Sequence, residues 1–211
     1  MRRRKNISHK VKTSIAVVVD GETEVFYLQM LKRNERRIRV NIEPKIPSRK
    51  SLQEQYELAL SLLDKEFAKV FWIVDLDVVL KEDKETPKGQ KPVVQQFLEY
   101  REKLIKEGVV VIVNNPCLEF WFLLHFEQTS RLFSKCTSAE KALKTYLSSY
   151  EKKKKYLTKQ DDDIYLKLKP YLKDAIFNSS SLGNFNNHNP KKAMCEMEKL
   201  FQTEELKGIF E

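Results

Sequence analysis

Four short apolar runs alternate with helix-like patterns through the first 126 residues of the chain. SIAVVV (14–19) is a continuous β-branched run, which is typical of a buried parallel strand. IRVNIEP (38–44) alternates apolar and polar positions, so it predicts a half-exposed strand near the sheet edge. KVFWIVDLDV (69–78) predicts the central strand, and VVVIVN (109–114) predicts the fourth.

The segments between these strands have helical spacing and recognisable ends. A helix is predicted over 22–34. Ser51 and Glu54 have the spacing of a capping box ahead of a second helical pattern. A third helix is predicted over 92–107, and it ends at Gly108, a common place for glycine after a helix.

Polar segments and a change of pattern complete the prediction. A Lys-rich loop is predicted over 81–91. Asn115 as N-cap and Pro116 at the first helical position predict the start of a very apolar helix, CLEFWFLLHF. After about residue 127 the pattern predicts helices over 138–150, 162–178 and 190–207.

Strands that alternate with helices imply βαβ units. We therefore predict an α/β fold with a mostly parallel four-stranded sheet, helices on both of its faces and a helical C-terminal region. The predicted organisation is a basic arm at 1–12, an α/β core at 13–127 and a helical C-terminal extension at 128–211.

Charge is unevenly spread over the 211 residues, whose net charge is +9. The predicted arm holds six cations and no acid: Arg2, Arg3, Arg4, Lys5, Lys10 and Lys12. Such an arm suits phosphate backbones, and a solubilising terminus is the alternative interpretation. The basic run at 152–155 is interpreted as a solvated helix face.

The three cysteines, Cys117, Cys136 and Cys195, are odd in number, far apart and free of CxxC spacing. They predict neither a disulfide framework nor a zinc site, and hence a reduced, cytoplasmic protein. No signal-peptide pattern opens the chain, and the apolar stretches are far shorter than the roughly 20 residues that span a bilayer. We expect no membrane partner.

Five acidic residues fall where predicted strands end: Asp20, Glu24, Asp75, Asp77 and Glu119. A carboxylate in an apolar run is costly unless it is paired, hydrogen-bonded or bound to a cation. The carboxyl ends of parallel strands form the ligand site of open α/β sheets, and clustered carboxylates suit Mg²⁺. These positions therefore predict a metal-dependent enzyme that acts on phosphates.

Local patterns rank these acids. On a strand, the two-residue spacing of Asp75 and Asp77 places both on one face about 7 Å apart, where they can share a metal. The alternative is that a strand-end aspartate caps the next turn, which suits Asp77 better than Asp75. Gly21 is interpreted as a sharp turn close to a ligand, and His125 as a hydrogen-bonded core histidine.

Motifs that the chain lacks exclude several classes of enzyme. The chain has no GxxxxGK[ST] loop, which excludes a P-loop NTPase. It has no GxSxG elbow, so acyl transfer has no support. Five glycines in the whole chain leave no glycine-rich dinucleotide loop after the first strand.

In combination the motifs resemble those of the RloB-like family, which has a Toprim-like fold, is linked to restriction–modification loci and is related in motif to OLD-type nucleases. The matching segments, in chain order, are VVVDGETEVFYL, VFWIVDLDV, NNPCLEFWFLLHF, YLTKQDDDIYLKLKPYLKDAI and HNPKKAMCEMEKL. The resemblance implies that Asp75 and Asp77 bind Mg²⁺ (or Mn²⁺). It implies an acid/base or ligand role for Asp20 and the second motif acid for Glu24. Asp20 stands where the family motif has Glu, and it reaches one methylene less.

The leading hypothesis is a Mg²⁺-dependent nuclease with Asp20 and Glu24 as catalytic residues, acting in defence against foreign nucleic acid. Glu24 and Glu119 are expected to help Asp75 and Asp77 hold the metal. The predicted nucleic-acid contacts are Arg2, Arg3, Arg4, Lys10 and Lys12. Two alternatives remain open: a non-catalytic module that binds nucleic acid or a partner protein of a defence complex, and primase-like nucleotidyl transfer at the same metal site.

Overall fold

A five-stranded sheet forms the centre of the computed structural model, which describes residues 13–36, 40–48, 51–190 and 192–210. The strands are β1 (Thr13–Val18), β2 (Val40–Lys45), β3 (Lys69–Asp75), β4 (Val110–Asn115) and β5 (Met194–Cys195). The predicted basic arm, with Arg2, Arg3, Arg4, Lys10 and Lys12, lies outside the described residues.

The strand order is β2-β1-β3-β4-β5, and β1 to β4 are parallel. The predicted places of β2 at the edge and β3 at the centre are confirmed. The predicted count of four strands is wrong, because β5 pairs antiparallel with β4 from within the segment predicted as a helix over 190–207. The α/β class and the mostly parallel sheet are confirmed.

Helices cover both faces of this sheet. They are α1 (Glu22–Asn34), α2 (Leu52–Leu63), α3 (Leu76–Glu85), α4 (Val93–Lys106), α5 (Leu118–Leu124), α6 (Cys136–Leu143), α7 (Lys154–Leu157), α8 (Ile164–Leu168), α9 (Leu172–Ser181) and α10 (Glu198–Phe201). Two 3-10 segments, Lys169–Tyr171 and Glu204–Ile209, complete the C-terminal part. None of the described helices is long and apolar enough to cross a bilayer.

The two-residue period of β1 distributes its side chains between two cores. Ile15 and Val17 pack in the core that includes α1, α5 and the C-terminal helices. Ala16 and Val18 pack in the opposite core, which includes α2, α3 and α4. Because both faces are buried, residues 15–18 of the strand are all apolar, which explains its continuous apolar run.

Local signals for the helix ends are confirmed at several points. Helix α1 has the predicted bounds. The Ser51 hydroxyl accepts a hydrogen bond from the Glu54 backbone N–H at 3.2 Å. Gly108 follows the C-cap of α4 with φ of +91°, a backbone conformation that glycine adopts without a steric cost.

The chain turns into a helix earlier than predicted after β3. Leu76 and Val79 are three residues apart and both buried, so the segment after Asp75 packs as helix α3 and not as more strand. The helix continues to Glu85, which shortens the loop predicted over 81–91. Asn115 ends β4, and Cys117, not Asn115, is the N-cap of α5.

The C-terminal extension is tied to the core by buried acids within two of the motif segments. Asp163 accepts hydrogen bonds from Arg33 at 2.7 Å and Asn34 at 2.9 Å. Glu196 is fully buried and accepts from the backbone N–H groups of Val113 and Phe185 at 3.1 and 2.9 Å. These carboxylates have their partners and hold the scaffold around the sheet.

Candidate metal centre

Three of the five predicted acids converge at the carboxyl edge of the sheet. One carboxylate oxygen from each of Asp20, Glu24 and Asp75 lies within 4.8 Å of the others. Asp20 comes after β1, Glu24 lies in the first turn of α1, and Asp75 ends β3. Because β1 and β3 are paired neighbours, their ends bring the three acids together.

Mutual repulsion and burial hold protons on this cluster in the absence of a cation. The pKa of Glu24 rises to about 8, first because the group is buried and then because Asp20 is close; a bond from its own backbone N–H opposes the rise, and Glu119 adds to it. Burial also raises the pKa of Asp75 well above its usual value, and Glu24 and Asp20 raise it further.

The cluster has the chemistry of a hard-cation site. Its ligand atoms are all carboxylate oxygens, which Mg²⁺ and Mn²⁺ prefer. The Oδ1 atom of Asp75 is buried and has no hydrogen-bond partner among the described residues. Such an atom is costly unless something binds it, so the residues present fit a divalent cation.

Asp77 is placed differently from the prediction. It lies in the first turn of α3 and not on the strand, so the prediction that it shares a strand face with Asp75 is wrong. Its Oδ2 atom accepts a hydrogen bond from the backbone N–H of Cys136 at 3.0 Å. Asp77 is outside the three-acid group, and its partner is the first residue of α6, 59 residues further along the chain, which neither interpretation predicted.

Glu119 points from α5 toward the same region, but its oxygens have other partners. Its Oε1 atom accepts a hydrogen bond from the Tyr150 hydroxyl at 2.7 Å and pairs with Lys152 at 2.8 Å. The side chain is only 1% exposed. Glu119 adds negative charge near Glu24 and Asp75 and belongs to a separate group with the sulfurs of Cys117 and Cys136.

Lys152 and Tyr150 were missed by sequence reasoning. The interpretation of 152–155 as a solvated helix face is wrong for Lys152, which lies before α7 and contacts the buried Glu119 carboxylate. Burial lowers the pKa of Lys152, but Glu119 and the cluster acids raise it more, so the net pKa lies above its usual value. The run of lysines gave no signal that one of them differs from the rest.

A disulfide joins Cys117 to Cys136 beside Glu119, which contradicts the prediction of unpaired cysteines. The two residues are 19 apart in sequence, and the packing of α5 against α6 brings their Cα atoms to 5.6 Å. Spacing along the chain could not show this, because the contact is tertiary. Cys195 is the free cysteine and is buried in β5.

We expect this disulfide to stabilise the oxidised protein. Closing a loop of this length contributes about 3 kcal/mol in the chain-entropy account. In a thermal melt, a reductant should therefore lower the Tm of the wild-type protein by roughly 6–12 °C. The double variant Cys117→Ser/Cys136→Ser should melt at the lower temperature with or without reductant. A wild-type Tm that is the same with and without reductant would contradict the assignment of the disulfide.

Gly21 leaves space for the Glu24 carboxylate and does not serve to make a sharp turn. Its φ is −125°, an ordinary extended value, so the predicted turn rationale is wrong. A Cβ atom at this position would lie 2.3 Å from the Glu24 Oε2 atom. A side chain at position 21 would therefore have to displace the Glu24 carboxylate, which occupies this space.

Gly21→Ala should displace the Glu24 carboxylate while leaving the fold intact, since alanine adopts this backbone conformation freely. We expect Mg²⁺ affinity, measured by titration calorimetry, to fall tenfold or more, because small displacements of a site group are costly. Combining it with Glu24→Asp, which withdraws the carboxylate by one methylene, should cost less than the two losses added. A fully additive loss would contradict the steric explanation.

His125 is a core residue, as predicted. It is buried, its Nδ1 atom lies 2.9 Å from the Trp121 carbonyl oxygen, and burial lowers its pKa to about 3. A neutral imidazole packed edge-on against Trp121 contributes to the core. It is not part of the acid cluster.

Fold and site together define an α/β protein with a cluster of three acids at the carboxyl edge of its parallel strands. The model of the RloB-like protein family matches residues 15–203, so the chain belongs to this family. Neither the curated proteins nor the solved structures include a significant match.

Proposed function

We propose that this protein is a Mg²⁺-dependent nuclease that hydrolyses phosphodiester bonds in nucleic acid, with Mn²⁺ as a substitute metal. The observation that carries the proposal is the convergence of Asp20, Glu24 and Asp75 with a buried, unpartnered oxygen on Asp75. A cluster built only to stabilise the fold would have paired this oxygen, as the scaffold acids Asp163 and Glu196 are paired.

In this proposal Asp75, Glu24 and Asp20 hold the cation through their carboxylate oxygens. A bound divalent metal stabilises charge on the phosphate and lowers the pKa of a bound water. Glu24 and Asp20 are the groups placed to accept or orient a proton of that water. Asp77 positions the segment that begins at Cys136, to which it is hydrogen-bonded. Its predicted role as a metal ligand stays a prediction.

In this proposal Lys152 and Tyr150 hold the Glu119 carboxylate beside the cluster. Because both of these groups contact its Oε1 atom, the carboxylate is held in place beside the cluster. Its predicted role as a direct ligand stays a prediction. The half-exposed Lys152 ammonium offsets part of the negative charge of the cluster, since it interacts electrostatically with Glu119, Asp75 and Glu24.

The motif DGETE supports a Toprim-type centre despite its first residue. Asp20 reaches one methylene less than the glutamate of the family motif, yet it lies in the three-acid group with Glu24 and Asp75. The shorter side chain is therefore compatible with a common cation. The resemblance of the motifs to restriction-linked and OLD-type proteins supports a cytoplasmic role in phage defence, with a further protein of the defence system as partner.

The test is a cleavage assay with purified protein on single- and double-stranded DNA and RNA, with Mg²⁺, Mn²⁺ or EDTA. We expect cleavage with either metal and none with EDTA or with Asp75→Asn. Cleavage by Asp75→Asn at the wild-type rate would refute the metal-nuclease proposal. Nucleoside triphosphates in a parallel reaction test nucleotidyl transfer, and strand binding without any turnover would favour the non-catalytic module.

A second variant tests the predicted arm separately. Deleting residues 2–12 should leave the acid cluster intact and reduce the salt dependence of nucleic-acid binding, because each phosphate contact adds to that slope. An unchanged slope would exclude Arg2, Arg3, Arg4, Lys10 and Lys12 as phosphate contacts.

A further inference from the structure

A cleft of about 580 Å³ opens beside the acid cluster. Helix α3 forms one side of it, and the segment that leads into α6 forms the other. Asp77 and Cys136, which are hydrogen-bonded to each other, lie in its wall. Asp77 follows Asp75 by two residues, and Asn115, which also lines the cleft, follows Asn114, the β4 partner of Asp75, so the cleft adjoins the acid cluster.

Three lysines line this cleft: Lys81 and Lys84 from α3, and Lys135 before α6. All three are exposed, and none has a carboxylate within ion-pair distance in the part of the chain that the structure describes. Many other lysines on this surface do have such partners, including Lys91 and Lys106. Asp77 is the one acid among the described residues that line the cleft, and Glu82 interacts with Lys81 along α3. The three lysines still leave the lining with a net positive charge, which suits an anionic ligand.

The same cleft has apolar walls. Leu80, Leu132 and Phe133 line it, and Leu132 is 54% exposed. The Phe133 ring is fixed against Phe120 and under the Arg131 guanidinium, so its position is defined. Apolar surface next to phosphate-binding cations is the combination that accommodates an unstacked base together with its backbone.

The size of the cleft discriminates between nucleic-acid forms. Its volume lies within the roughly 300–1,000 Å³ range of small-ligand pockets, which fits one nucleotide. Bases within a duplex are stacked and paired, and an enzyme reaches one in a pocket only by taking it out of the stack. Single strands, ends and flipped nucleotides are therefore the forms that can enter.

We propose that this cleft binds an unpaired nucleotide of a nucleic-acid strand, with its flanking phosphates on Lys81, Lys84 and Lys135. If the cleft guides a substrate strand to the acid cluster for cleavage, that role rests on the proposed function. As a binding site for single strands, it stands without any cleavage. It assigns nucleic-acid contacts within the folded core, in addition to those predicted for the basic arm.

The experiment is fluorescence anisotropy with a labelled single-stranded oligonucleotide, as DNA and as RNA, in EDTA so that no strand is cut. The variants are Lys81→Ala/Lys84→Ala and Lys135→Ala. Lys103→Ala/Lys106→Ala on α4 is the control, since it removes the same charge from exposed positions that do not line the cleft. All these side chains are exposed, so the fold should survive each change.

We expect the cleft double variant to bind the single strand roughly tenfold more weakly near 0.15 M salt, and its salt slope to fall by about 1.4, since each phosphate contact on a single strand contributes about 0.7. Lys135→Ala should lower the slope by about half as much. The control should change little, and a duplex of the same sequence should compete poorly.

Equal losses in the cleft and control variants would overturn the proposal, because they would show only general attraction by charge. Equal competition by poly-glutamate would do the same. A free mononucleotide that competes as well as the oligonucleotide would replace the strand site by a small-nucleotide site. None of these results depends on cleavage, so a failed nuclease assay and a failed cleft assignment are separate outcomes.

Discussion

Replacing Asp75 with asparagine is expected to abolish metal-dependent cleavage and, without metal, to raise the melting temperature of the protein at alkaline pH. The loss in rate should be at least about 100-fold, since metal stabilisation of the transition state contributes several kcal/mol. The gain in Tm should reach several degrees, because 1 kcal/mol corresponds to roughly 2–4 °C for a chain of this size.

The loss of cleavage and the gain in Tm both follow from removing the charge of the Asp75 carboxylate. In the folded protein, burial and the charges of Glu24 and Asp20 raise the pKa of Asp75 well above its value in the unfolded chain. A carboxyl with a raised folded pKa favours the folded state at low pH, and that contribution is lost as the pH rises through the folded pKa. Asparagine cannot ionise, so its advantage over aspartate should grow with pH.

The measurement is a pair of melting curves without metal at about pH 5 and pH 8, beside the cleavage assay. Asp64→Asn is the matched control, because Asp64 is an exposed aspartate at the C-cap of α2. It should leave cleavage unchanged and should not raise Tm more at pH 8 than at pH 5, because Asp64 is exposed and is not part of the acid cluster. If Asp75→Asn is less stable than wild type at alkaline pH, the Asp75 carboxylate is stabilised by a protein group, and the assignment of a cation site fails.

Much of the scaffold could be predicted from the sequence because its signals are local. The β-branched run of β1, the capping pair of Ser51 and Glu54, and Gly108 after α4 each depend on a few adjacent residues. Topology then places Asp20 and Asp75 together, since the ends of parallel strands share one edge. For the same reason the three-acid cluster could be expected from the order of strands and acids along the chain.

The errors come from contacts between distant segments. The run FWIVDLDVVL fits either one strand or a strand followed by a helix. The hydrogen bond that the Asp77 backbone N–H donates to the Pro116 carbonyl oxygen forms only after folding, so the sequence does not show it. The Cys117–Cys136 bond depends on how α5 packs against α6. Lys152 is one of four consecutive lysines, and only tertiary packing selects it as the partner of Glu119.

Strand β5 shows the same limit at its clearest. Two residues, Met194 and Cys195, pair with the end of β4. They are too few to give a strand pattern of their own, so the surrounding pattern predicts a helix across them. The buried carboxylate of Glu196 holds this segment against the sheet by accepting a hydrogen bond from the Val113 backbone N–H. The sequence around Glu196 does not indicate that this glutamate is buried or that it has this role.

Mg²⁺ affinity should rise steeply with pH, because the cation must displace protons from the cluster. With a pKa of about 8, Glu24 is mostly protonated at neutral pH before the metal binds. When one proton is displaced, affinity increases about tenfold per pH unit below that pKa and then levels off. Between about pH 6 and pH 8 the gain from this one proton should therefore be about 50-fold, because half of the Glu24 carboxyls are still protonated at pH 8.

Titration calorimetry with Mg²⁺ at several pH values, in two buffers of different ionisation enthalpy, measures both the affinity and the protons released. Glu24→Gln should bind more weakly and release about one proton fewer below pH 8. Glu22→Gln in the same helical turn is the control, since Glu22 is exposed and outside the cluster. Proton release that is equal in wild type and Glu24→Gln would show that Glu24 is not the group the metal displaces, and would leave Asp75 and Asp20 as the ligands.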